Sequence, residues 1–151
     1  MSKIVRIVIH CTADPADARR SREYYHHLFF EVYGWHHYGY HFVVHQDGSV
    51  DTLQPTPTPT AYGGIIDNAT MANGAKGYNQ DSLHVAYVGG IDPLTRQAAD
   101  TRTPQQKASL AALVYQLCRQ YKVREVVGHR DLPGARKACP CFNVRKEFPN
   151  V

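Results

Sequence analysis

No stretch of this 151-residue chain holds the roughly 20 consecutive apolar residues that a helix needs to cross a bilayer, so no membrane insertion and a soluble protein are expected. The opening residues, MSKIVRIVIHCTA, lack the uninterrupted apolar core of a secretory signal, because Arg6 breaks the run. Cysteine is scarce and unevenly placed, at Cys11, Cys118, Cys139 and Cys141. With 43% hydrophobic residues to build a core and no export signal, free thiols or a metal ligand are better readings than a two-disulfide framework. Internal repeats are missing, and the length suits one domain spanning 1–151 rather than two. The formal charge of +4 suits an anionic partner such as nucleic acid, a bacterial wall polymer or a membrane surface, with binding that weakens in salt. A nucleic-acid partner is not expected, since no nucleic-acid motif accompanies that charge.

What is present reads as alternating strands and helices. Residues 3–10, KIVRIVIH, form a β-branched run that predicts a buried strand ending on His10. Tyr25, Leu28, Phe29 and Val32 recur at helical spacing and predict a helix over about 17–33, with Gly34 as its stop. GYHFVVHQDGSVDTL predicts a hairpin turning at Asp47-Gly48. The prolines of QPTPTPTAYGG, 54–64, lack amide donors and predict an extended surface path, and the long irregular connection continues through AKGYN at 75–79. LHVAYVGG, 83–90, predicts a strand. Thr103-Pro104-Gln105-Gln106 offers a capping box ahead of a helical face of Leu110, Leu113, Val114, Leu117, Cys118 and Tyr121. REVVGH, 124–129, predicts a last strand ending on His129. This order of hairpin and crossover connections predicts an α/β fold, a central mixed β-sheet flanked by α-helices.

His10 and His129 both end strands. If those strands lie side by side in one direction, the imidazoles emerge at one sheet edge, and the following loop, GHRDLPGARKACPCF at 128–142, can bring Cys139 beside them. Two imidazoles and a thiolate suffice for one zinc ion with an open fourth position, the arrangement of a catalytic site. Local spacing alone does not single them out. Taken one at a time, a histidine at a strand end is ordinarily a hydrogen-bonded structural residue and a cysteine a small core filler. His26, His27, His36, His37, His41, His45 and His84 are read in that ordinary way, and Cys11 should point to the face opposite His10.

The ordered series HCTA at 10–13, GYHFVVHQDG at 39–48, AKGYN at 75–79, HVAYVGG at 84–90, GHRD at 128–131 and KACPCF at 137–142 resembles the zinc-dependent N-acetylmuramoyl-L-alanine amidases of type 2. That family includes phage lysozyme-like amidases and peptidoglycan recognition proteins. The resemblance implies that His10, His129 and Cys139 hold one Zn2+, that Tyr40 is a catalytic tyrosine, and that Lys137 stabilises the oxyanion. Tyr78 and Asn79 fall in a loop that can bind substrate. It further implies hydrolysis of the amide between N-acetylmuramic acid and L-alanine in peptidoglycan, by a monomer that accumulates in the cytoplasm and meets the wall after release. A non-catalytic peptidoglycan binder and an amidase for soluble anhydro-muropeptides are the alternatives. The chain departs from the family pattern at Gly74, where a histidine commonly precedes AKGYN, and at Asn143, where the cysteine motif usually ends in aspartate. Cys141 is open to a disulfide or to supporting the metal.

Overall fold

The apolar run near the N-terminus divides into two strands. In the computed structural model, which describes residues 2–135 and 138–149, β1 (Ser2–Lys3) is followed by the longer β2 (Arg6–Cys11). The break falls at Ile4 and Val5, whose amides turn to Gly64 O and Asp81 O instead of to the main sheet. Further along lie β3 (Asp14–Pro15), α1 (Arg22–His26), β4 (Phe42–Val44), β5 (Val50–Thr52) and β6 (Ile65–Ile66). Then follow β7 (Ser82–Tyr87), β8 (Gly90–Ile91), α2 (Pro104–Tyr121), β9 (Glu125–Gly128) and α3 (Val144–Glu147).

The main sheet has the order β5-β4-β7-β2-β9. Only the β4–β5 hairpin is antiparallel, and β4, β7, β2 and β9 run parallel, so the sheet is mixed as expected. Each face of β7 meets its own layer, and on the second face Val8 of β2 packs with Ala75, Val127 and Leu132. Ile7, Ile9, Leu83, Val85 and Tyr87 pack with Leu110, Val114, Leu117 and Tyr121 of α2. On the other face, Val43, Ala86 and Val88 pack under Tyr25 and Phe29 of the first helix. Helices on both sides leave the central strands buried, which is why they read as continuous apolar runs.

The first helix starts later than its apolar spacing predicts. Ser21 Oγ accepts the amide of Tyr24 as an N-cap, and the preceding residues are engaged elsewhere: β3 pairs with β8, and Asp14 takes the Tyr25 hydroxyl and Arg20. The helix then widens into a π-helical segment, His27–Val32, closed by Tyr33 N donating to Leu28 O. The hairpin also differs from the expected two-residue turn. Gly48 alone has a positive φ, of 89°, and Gly48 N donates to His45 O while His45 N donates to Ser49 O. This is a three-residue loop, Gln46–Gly48, with glycine in the left-handed position. The helix at 104–121 and its capping box are as the sequence predicts.

Candidate metal centre

Two strand ends set the site. β2 and β9 pair in parallel with Ile9 opposite Gly128, so His10 and His129 are the next residues along each strand. His129 leaves β9 as the first residue of a 3-10 turn, His129–Asp131, which Asp131 pins by accepting the Gly128 amide at 2.8 Å. The two imidazole centroids lie 4.8 Å apart. The chain then returns: Arg130 N donates to Cys139 O, and the Tyr87 hydroxyl donates to Pro140 O at 2.7 Å. Phe142 fixes the far side of this loop, its ring 3.4 Å from the guanidinium carbon of Arg102, which is itself clamped by Asp100 and Glu147.

These contacts deliver the Cys139 sulfur to the end of β2, where the Cys11 amide donates to it at 3.1 Å. One donor atom from each of His10, His129 and Cys139 lies within 4.8 Å of the others. Two imidazoles and a sulfur that already accepts an amide form a donor set suited to a borderline-soft divalent ion. These three side chains can therefore hold a metal. Cys11 points to the opposite face, into the α2 layer, as its place in the strand requires. Its own thiol is pushed up in pKa by the neighbouring Cys139 and by burial. Cys141 is a free thiol that donates to Gly90 O at 3.7 Å, and burial pushes its pKa up to about 11.

The three side chains face a cleft of about 400 Å³ walled by Tyr25, Phe29, Trp35 and Tyr40. A larger polar depression of about 510 Å³ beside Arg19, His45 and Gln105 shares no lining residue with it. The Tyr40 ring lies 5.2 Å from that of His10 and meets the edge of Phe29 at 5.6 Å. Desolvation, reinforced by Cys139, holds its phenol well above the usual pKa, so it stays protonated at neutral pH. The aromatic wall escaped notice in the sequence because Tyr25 and Phe29 satisfy a helical core pattern equally well.

His84, which the sequence reads as an ordinary structural histidine, lies beside the candidate ligands. Val8 pairs with His84 and His10 with Ala86, so both histidines share one face of adjacent parallel strands. His84 Nδ1 lies 2.9 Å from His10 Nε2. Burial, with His10 and His41 nearby, keeps the imidazole of His84 uncharged. Strand parity was the available signal, since a histidine on the ligand's own face of a buried strand is a candidate second contact. Asn79 is buried in its own loop: its side-chain oxygen accepts the amides of Gly74 and Ala75 at 3.0 and 2.8 Å, and its nitrogen donates to Asn73. Tyr78 lines a neighbouring depression with Lys76, His129 and Leu132, under the Arg6 guanidinium. Asn143 caps α3, accepting Lys146 N at 3.1 Å, a structural use of that position. Lys137 lies outside the described residues.

The family model for N-acetylmuramoyl-L-alanine amidase matches residues 1–142. The endolysin of Klebsiella phage KP32 is 31% identical over 145 residues, covering 93% of this chain and 83% of that protein. The structure of the Ph2119 endolysin from the Thermus scotoductus MAT2119 bacteriophage superposes with a TM-score of 0.70 at 26% identity, covering 97% of this chain and 83% of the other. The amidase LysC from Clostridium intestinale URNW, 24% identical, shares the fold at a TM-score of 0.71, covering 97% of this chain and 82% of its own. With the family model matching residues 1–142 and an endolysin relative 31% identical over 93% of this sequence, the chain belongs to the N-acetylmuramoyl-L-alanine amidase family and is an enzyme of that kind.

Proposed function

We propose that this chain, as a single catalytic domain acting as a monomer, is a zinc-dependent hydrolase. It cuts the amide between the lactyl group of N-acetylmuramic acid and L-alanine in peptidoglycan. The observation that carries this reading is the convergence of His10, His129 and Cys139 donor atoms within 4.8 Å at the base of an aromatic-walled cleft. Bound there, zinc supplies a Lewis acid for the scissile carbonyl and brings the pKa of water to about 7. The protein supplies the rest. Tyr40, protonated and braced by Phe29 beside His10, would donate its hydroxyl to the attacking water and so orient it, and the proton that the water loses would end on the departing L-alanine amine. Lys137, two residues before Cys139 in the sequence, would supply a point charge for the oxyanion. Tyr78 offers a wall for the peptide stem beside His129. Asn79 supports that wall from inside the loop, since its amide is engaged with Gly74, Ala75 and Asn73.

Endolysin relatives of phage support a route in which the enzyme accumulates in the cytoplasm and reaches the wall after release. The test pairs metal analysis with digestion of purified sacculi by the protein and its Cys139→Ser variant. One zinc per chain and new L-alanine amino termini are expected from the native protein, with both lost in the variant. Equal zinc in the two proteins removes Cys139 from the site, and zinc binding without cleavage of sacculi overturns this reading in favour of a peptidoglycan binder, or of an amidase for soluble anhydro-muropeptides if such fragments are cut.

A further inference from the structure

We propose that His84 is a positioning residue for the metal site, and that Gly74 is required to be glycine because it leaves room for the His84 ring. The inference rests on the zinc reading of His10, His129 and Cys139.

His84 is fully buried on the parallel strand next to that of His10, and its Nδ1 lies 2.9 Å from His10 Nε2. A histidine that ligates a metal through one ring nitrogen carries its proton on the other, and a fixed acceptor for that proton sets both tautomer and ring orientation. The Nδ1 of His84, fixed 2.9 Å from His10 Nε2, is placed as such an acceptor. With Nε2 held in this way, His10 presents Nδ1 to an ion. The other nitrogen of His84, Nε2, is buried without a hydrogen-bond partner among the described residues. A leucine would fill the same volume without burying an unpaired ring nitrogen, so packing alone does not account for a histidine here. Its environment is built in turn. His41 Nδ1 accepts the His84 amide at 3.0 Å, and His84 O accepts the His41 amide at 2.9 Å, so the backbone that carries the ring is locked.

Gly74 closes the ring's other side. A Cβ on residue 74 would lie 2.4 Å from His84 Nδ1, the atom that meets His10, and 2.8 Å from Gly39 O. The backbone at 74 cannot withdraw, because Asn79 Oδ1 holds the Gly74 amide at 3.0 Å. The φ of Gly74 is not positive, so alanine meets no left-handed strain there and the substitution tests space. The glycine before AKGYN and the histidine of HVAYVGG therefore form one unit, in which a single side chain occupies the volume behind His10.

The experiment measures zinc affinity by competition with a chelator, and thermal unfolding of the zinc-free full chain, for four variants. His84→Leu keeps the volume and removes the acceptor, and it is expected to weaken zinc binding about 10–100-fold while unfolding no earlier than the native protein. His84→Asn, whose side-chain oxygen can accept from His10 Nε2, is expected to retain most of the affinity. Gly74→Ala displaces the ring and should weaken zinc binding as His84→Leu does. Cys139→Ser is the control for the site itself. If Cys139→Ser abolishes binding while His84→Leu and Gly74→Ala bind within about twofold of native, His84 is core packing and the proposal falls. Equal losses in His84→Leu and His84→Asn also overturn it, because the acceptor is then irrelevant. Unchanged binding in Cys139→Ser instead overturns the zinc reading.

Discussion

The roles proposed for Tyr40 and Lys137 differ in chemistry, and single substitutions separate them from the metal. Tyr40→Phe keeps the ring that Phe29 braces and removes only the hydroxyl. Zinc content should be unchanged and turnover of sacculi should fall about 100-fold, the lower range for loss of a proton-transfer group. Lys137→Ala should retain zinc and lose about 100-fold or more in kcat, as removal of an oxyanion donor does. Release of new amino termini, measured beside metal content, checks both, and native rates in either variant would remove that residue from the reaction. At this scale the sequence was legible wherever a residue type fell at a strand end, as with His10 and His129. It was opaque where the contact crosses between strands. His84 looks like any strand residue until the register sets Val8 against it and His10 two residues further along the same face. Asn79 reads as a polar loop residue open to ligand, and only the fold reveals that its amide is engaged with the backbone of its own loop.

Among the elements, α2 was the most legible because its start signal is local. Thr103 Oγ1 accepts the Gln106 amide and Gln106 Oε1 accepts the Thr103 amide, both at 3.0 Å. Gln106 is also fully buried and donates to Val44 O and Val88 O, tying the helix start to the sheet. Thr103→Ala removes the cap and should cost about 1 kcal/mol in urea unfolding of the metal-free protein, leaving zinc affinity unchanged. A loss of zinc affinity in step with stability would show that the site depends on this helix start, contrary to the architecture described. The first helix was less legible because its start is set by distant partners. Asp14 must meet Tyr25 and Arg20, and β3 must pair with β8, before Ser21 becomes the cap. The hairpin was located by Asp47-Gly48, but the added loop residue, Gln46, is fixed by its side chain donating to Ala16 O and Ala18 O across the fold.

For the molecule as a whole, a buried histidine outside the ligand set makes stability depend on pH. His41 donates from Nε2 to Thr70 O and accepts the His84 amide on Nδ1, so a proton on Nδ1 would break a structural bond. Burial lowers its pKa to about 4, against an ordinary value near 6.5. Above about pH 6.5 it is neutral in both folded and unfolded chains and its stabilising share is fully present. Between about pH 6.5 and 4 the unfolded chain binds a proton that the folded one refuses, and up to about 3 kcal/mol is lost. Urea unfolding of the metal-free protein should therefore shift to lower midpoints over that interval, less so in His41→Asn, and identical slopes in the two proteins would refute the assignment. The central claim is that three distant parts of the chain hold one ion at the base of the aromatic cleft. Anomalous diffraction at the zinc absorption edge from crystals of the zinc-loaded protein tests it most directly. A single peak about 2.0–2.3 Å from nitrogen atoms of His10 and His129 and from the sulfur of Cys139 is predicted, and a peak at any other set of side chains would contradict it.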